Sequence, residues 1–232
     1  MSRIREAIVL AMGILGLGAF LYCAMMHTKD RDRVVSVKGL SEREVKADFV
    51  IWPIVYKEIG NDLAAIHDAV QVKNAAIEKF LRENGVEDSE ISRSAPDIVD
   101  SQGEYYGNES RPFRYVATMV TTVASKNVDH IRAVMEKQGE LLKQGVASYG
   151  SDYRYSKIYS FNGLNDIKPE MIDEANKSAR AAAQKFASDS DSKLGKIKTA
   201  TQGQFSIADR DENTPYIKKV RVVTSVQYFL ED

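Results

Sequence analysis

Glu174-Ala-Asn-Lys-Ser-Ala-Arg-Ala-Ala-Ala-Gln-Lys-Phe-Ala-Ser188 places alanine at 175, 179, 183 and 187, an unbroken four-residue spacing, with Phe186 beside the row. Residues four apart lie one above another on a helix, so the alanines form one stripe. Methyl side chains on a single stripe let a helix approach its partner closely. The surrounding pattern predicts a helix over Asp166–Ser192. Lys168-Pro169 sits at its start, where the missing N–H of proline costs nothing. After Leu194-Gly195 two strands are expected, Lys196–Ile207 and Tyr216–Phe229, joined by the polar turn Asp209–Pro215.

Upstream the same order recurs. Leu63, Ile66, Val70, Ile77 and Phe80 mark one apolar face of a helix over Asn61–Asn84. Asn61 or Asp62 caps its start, and Gly85 suits a left-handed closing residue. Glu90–Val99 reads as extended, Ser101–Pro112 as a loop or long hairpin connection, and Phe113–Ala124 as a strand. Tyr115-Val-Ala-Thr-Met-Val-Thr-Thr-Val123 also resembles Val220-Arg-Val-Val-Thr-Ser-Val-Gln-Tyr228. Two helix-plus-hairpin units explain this echo; ordinary strand composition explains it too.

The remaining elements fill in an α+β body. Val34–Gly39 is a short alternating run, and Glu44–Tyr56 is strand-like. Pro53 inside it calls for an edge or a bulge, because proline cannot donate to a ladder. A second helix is expected over Asn127–Gln144, with Val128, Ile131, Met135 and Leu142 on its buried face and Gly145 after it. Val146–Phe161 reads as one strand, with Tyr153, Tyr155, Tyr159 and Phe161 on a single face. The expected fold is α+β: twisted, antiparallel-rich sheets with three main helices, preceded by one transmembrane helix.

That leading helix is Ala7–Met26, twenty residues without a charge. At about 1.5 Å per residue it covers the roughly 30 Å of a bilayer's hydrocarbon core. A cleaved signal peptide has a shorter apolar region, about 7–15 residues, and ends in an A-x-A-like pattern. Here Tyr22-Cys23-Ala24 closes the run, and bulky Tyr22 also argues against lipid modification of Cys23. The organisation is therefore a basic segment (1–6), an anchor (7–26), a charged linker (27–33) and one domain (34–232). Arg3 and Arg5 precede the run while Lys29, Arg31 and Arg33 follow it, so flanking charge does not set orientation.

Composition narrows the chemistry. The chain has 32 basic and 33 acidic side chains, a formal net charge of −1. No basic excess exists to hold a nucleic acid, and none is expected as a partner. The one cysteine, Cys23, lies in the anchor, so the domain carries no disulfide, Cys-ligated zinc or thiol nucleophile. His67 and His130 are its only histidines, and each suits a surface or capping place better than catalysis. The zinc-binding His pattern, the nucleophile elbow and the phosphate loop are all missing. Asp209-Arg-Asp-Glu-Asn213 offers hard oxygens for calcium but lacks the EF-hand glycine and terminal Glu. No catalytic, cofactor-binding or metal residue is assigned. The sequons at Asn108 and Asn176 are taken as chance. The candidate interface residues are aromatic, because tyrosine buries area at low entropy cost and keeps a polar handle. Tyr105, Tyr106 and Phe113 surround a glycine loop. Tyr153, Tyr155, Tyr159 and Phe161 form a second interface, a small-ligand or peptide floor, or core beneath the helices.

Three runs in this order resemble the SIMPL-domain (DUF541) family, which includes bacterial periplasmic immunogenic proteins. The first is Val35-Ser-Val-Lys-Gly-Leu-Ser-Glu-Arg-Glu-Val-Lys-Ala-Asp48. The second is Gly85-Val-Glu-Asp-Ser-Glu-Ile91, leading to Tyr105-Tyr106 and Phe113-Arg-Tyr-Val-Ala117. The third is the alanine row followed by Leu194-Gly-Lys-Ile197. The resemblance covers about Val34 to Asp232. It implies export to the periplasm, hence an inner-membrane, single-pass protein with its C-terminal domain outside. It further implies homo-oligomeric assembly and a link to oxidative or envelope stress, and it carries no catalytic residues. Many members begin with a cleaved signal peptide, whereas this chain resembles a membrane-tethered branch. The expected role is non-enzymatic.

Overall fold

The computed structural model describes residues 2–29, 33–102, 112–148 and 153–231. Its fold is mixed α+β with antiparallel strand pairing. The chain divides into two compact units: residues 1–43, 165–207 and 220–232 form one, and residues 44–164 and 208–219 the other.

In the first unit α1 spans Ser2–Lys29. Its large apolar side chains from Ile8 to Tyr22 are 52–72% exposed. Among the described residues no helix is long and apolar enough to cross a membrane. The remainder of this unit is a four-stranded sheet around α5 (Leu164–Asp189). Strand order is β1-β9-β7, with β8 also pairing β9, over Val34–Lys46 (β1), Lys193–Gln202 (β7), Ser206–Asp209 (β8) and Ile217–Glu231 (β9). Ala175, Ala179, Ala183 and Ala187 are all buried, and Met171 extends their row; Phe186 points to solvent at 60% exposure. The strand facing the row carries Gly39. A methyl group added there would lie 1.8 Å from the Ala175 carbonyl oxygen and 2.5 Å from the Ala179 nitrogen. Glycine and alanine together thus set how closely β1 and α5 approach. The helix begins at Leu164 rather than Asp166, so Pro169 lies inside it and removes one backbone hydrogen bond.

The second unit holds a five-stranded sheet ordered β3-β5-β2-β6, with β4 also on β5. The strands are Phe49–Gly60 (β2), Ile91–Arg93 (β3), Asp97–Asp100 (β4), Tyr115–Ser125 (β5) and Ile158–Ser160 (β6). Burial alternates along β5, with Ala117, Met119, Thr121, Val123 and Ser125 inward. β2 supplies Val50, Trp52, Ile54 and Tyr56 to the same core. Pro53 is tolerated because β6 reaches only as far as Ile51 along β2. Helix α2 (Leu63–Glu83) packs Ile66, Val70, Ile77, Phe80 and Leu81 inward. Asp62 accepts from the Ala64 N–H at 2.9 Å, and Gly85 takes the left-handed conformation at φ 81°. Leu63, expected on the stripe, lies at the helix mouth and is 45% exposed.

Several expectations need correction. The run expected to stop at Gly39 continues as β1 to Lys46, Glu44–Tyr56 is divided between β1 and β2, and Lys196–Ile207 is divided between β7 and β8. The helix over Asn127–Gln144 is broken into α3 (Val128–Glu136) and α4 (Gly139–Lys143). The turn through Lys137 and Gln138 resets the helical phase, so Leu141 is buried and Leu142 is 60% exposed. Val146–Phe161 is not one strand: Ser148 makes an isolated bridge to Tyr56, residues 153–155 form a 3₁₀ turn, and Ile158–Ser160 pairs with β2. Three residues per turn replace the two-residue alternation, so the four aromatics do not share a strand face. The internal echo is present in topology. In each unit a helix is followed by two strands and then a long strand with which both of them pair.

Gly39→Ala is expected to destabilise the protein by about 3 kcal/mol or more, because the backbone of α5 must move. Gly139→Ala, where an added methyl meets no atom within 4 Å, should change stability by less than about 1 kcal/mol. Denaturant unfolding of the full chain in detergent checks both.

Candidate functional site

The motif residues turn out to be structural. Besides Gly39 and Gly85, Asp48 fixes the Asn162–Gly163 turn: its carboxylate accepts from the N–H groups of Asn162 and Gly163 at 2.8–2.9 Å and from Asn162 Nδ2 at 3.0 Å. On β1, Ser41 donates to Glu174 at 2.6 Å, and Arg43 reaches both Glu170 and Glu174 at 2.7 Å.

The aromatic candidates separate. Tyr105 and Tyr106 lie outside the described residues. Phe113 is exposed at 44%. Tyr153 and Tyr155 belong to the 3₁₀ turn, with Tyr155 half-buried, and Phe161 is also half-buried. Tyr159 is core: it is 8% exposed, donates towards Met135 Sδ, and meets Tyr216 edge-on at 6.2 Å. The Arg132 guanidinium stacks 3.4 Å above the Tyr216 ring. That stack escaped the sequence reading because Arg132 and Tyr216 are eighty-four positions apart.

The histidines are poorly placed for acid–base work. His67 is exposed beside Asp68 and Gln71. His130 Nε2 is buried near Gly85 and has no hydrogen-bond partner among the described residues. In the Asp209–Pro215 turn, Asp209 pairs with Lys218 and Asp211 with Arg210. Hydrogen bonds from Thr214, then Arg210, hold the Asp211 carboxyl down to about 2. Among the described residues no group of three His, Cys, Asp or Glu side chains could hold a metal ion.

A cavity of about 370 Å³ lies in the second unit, between α2 and the β3–β4–β5 side of the sheet. Ala117 and Met119 line it from β5, Ile66 and Val70 from α2, and Pro96 and Ile98 from the segment between. The gap exists because Ala117 is small where Met119 and Val123 fill the same face. Asn74 also lines it, on the α2 row of Ile66 and Val70, although only 4% exposed. Beneath it Tyr56, 1% exposed, donates to Asn74 Oδ1 at 2.9 Å and to the Val70 carbonyl at 3.2 Å. Burial above all, with Glu58 adding, pushes the Tyr56 phenol up to about 12. The signal for this pair was available: Asn74 interrupts an apolar stripe four residues after Val70.

The family model for SIMPL, a protein of unknown function (DUF541), matches residues 35–228. The chain belongs to that family. No curated protein matches it.

Tyr56→Phe is expected to cost about 1 kcal/mol, the net value of a buried hydrogen bond. The folded phenol titrates above its ordinary value, so its contribution is complete below about pH 10 and is lost as pH rises towards about 12. The variant should therefore show a flatter fall in stability across that window, read from denaturant unfolding over about pH 8–12.

Proposed function

We propose that this member of the SIMPL family is a single-pass inner-membrane protein whose domain projects into the periplasm. It acts there without catalysis, as a homo-oligomeric envelope component that contributes to stress tolerance. The observation that carries the reading is α1. From Ile8 to Tyr22 its large side chains are exposed on every side of the helix, and Ala7–Met26 holds no charge. A helix apolar all round needs an apolar surrounding, and a bilayer supplies one. Orientation follows from the exported members that the sequence resembles, because the flanking charges balance. Self-assembly also rests on that likeness. The non-catalytic role is supported by the placement of His67 and His130 and by family signatures that are used up in packing and capping.

The test is native mass and topology together. In membranes from the producing cell, the full chain should resist an alkaline carbonate wash and be cut by protease added outside the inner membrane. In detergent, light scattering corrected for bound detergent should give one defined multiple of the chain across a concentration series. Release by carbonate would remove the anchor. A monomer at every concentration would remove the assembly. Turnover abolished by a single polar substitution would remove the non-enzymatic role.

A further inference from the structure

We infer that the cavity between α2 and the β3–β4–β5 segment is a binding site for a small apolar carboxylate, of the chemistry of a medium-chain fatty acid. Its volume, about 370 Å³, falls within the roughly 300–1,000 Å³ of pockets that bury small organic ligands. Most of its lining is aliphatic, and the most buried wall residues, Ile66, Val70, Ala117 and Met119, are at most 4% exposed. An alkyl chain is the complement of such a wall.

The polar groups choose the head. Asn74 is more than nine-tenths buried and lines the cavity. Its Oδ1 accepts from Tyr56, which leaves the amide NH₂ as the group of Asn74 that a ligand oxygen would meet. A ligand oxygen at that NH₂ would gain a hydrogen bond in a mostly apolar surrounding. The other polar lining side chains are His67, Gln71, Arg93 and Ser94, with no carboxylate among them. Arg93 stands at the mouth, its side chain 49% exposed, with Nε on Glu78 at 2.9 Å. Its terminal nitrogens remain for a ligand carboxylate, which a guanidinium recognises better than a neutral head. This site is separate from the tyrosines singled out in the sequence, and it stands whether or not the domain self-assembles.

The experiment is calorimetric titration of the full chain in lipid nanodiscs, with empty nanodiscs as blank. The probes are octanoate, octan-1-ol and octylammonium at neutral pH. Octanoate should bind saturably, about tenfold more tightly than octan-1-ol, the ratio set by one charge-assisted contact. Octylammonium should be weaker than either. Arg93→Gln should bring octanoate down to the octan-1-ol level while leaving octan-1-ol unchanged. Ala117→Phe, which fills the floor, should abolish binding of both. If that variant does not fold by circular dichroism, Arg93→Gln decides alone. Octanoate that fails to saturate above the blank overturns the site. Octanoate no tighter than octan-1-ol or octylammonium, or unaffected by Arg93→Gln, overturns the carboxylate assignment.

Discussion

The contact between Gly39 and the Ala175–Ala179 turn of α5 sets the geometry of the first unit. No side chain larger than hydrogen fits at 39, since even a methyl group would overlap the Ala175 carbonyl oxygen. The rest of β1 then falls into step with the helix. Two residues of strand advance about 6.6 Å and four residues of helix about 6 Å, so alternate strand positions meet successive rungs of the alanine row. Val37 packs with Ala179 and Ala183, Gly39 abuts Ala175 and Ala179, Ser41 meets Glu174, and Arg43 reaches Glu170 and Glu174. Strand numbers rise as helix numbers fall. The match of periods turns a single close approach into a seam that runs from apolar packing to ion pairs.

The second unit meets the same topology with different side chains. Its strand β2 brings Trp52 and Tyr56 to a helix that carries Ile66, Val70, Asn74, Ile77 and Phe80. Large side chains hold the helix off the sheet, and their packing is less uniform than a row of methyls. Filling by bulky groups leaves a residual space wherever one position is small or polar, here at Ala117 and Asn74. One repeat of the topology is therefore a tight seam, and the other contains a chamber. That difference, more than the shared strand order, separates the structural from the ligand-sized part of the chain.

Signature residues and functional residues are distinct in this protein. Gly39, Asp48, Gly85 and the four alanines carry the likeness to the SIMPL family, and each has a local mechanical role: close approach, a turn brace, a left-handed cap, a packing row. Side chains that act on one another at long range, such as Arg132 on Tyr216 and Tyr56 on Asn74, lie outside those motifs. A family match carried by backbone constraints identifies the fold without assigning chemistry.

The elements that rest on local rules were legible in the residues. Asp62 before an apolar stripe and Gly85 after it delimit α2, the spacing of 175, 179, 183 and 187 marks the buried side of α5, and Pro53 warns of an incomplete partner strand. These depend on neighbours within a turn or two, where propensity and capping act directly. What failed depended on phase or distance. Leu142 for Leu141 follows from a turn at Lys137–Gln138 that no periodicity announces, and the tyrosine face was lost to a 3₁₀ turn. Asn74 visibly interrupts its apolar row, but its partner Tyr56 stands on a strand eighteen positions away. By itself the sequence determined the places of α2 and α5, the strand-rich segments around them, the charge-free N-terminal run and the family. Only the tertiary structure decided which small residues touch and where space remains, because contact and volume belong to chain segments that are distant in number and meet only on folding.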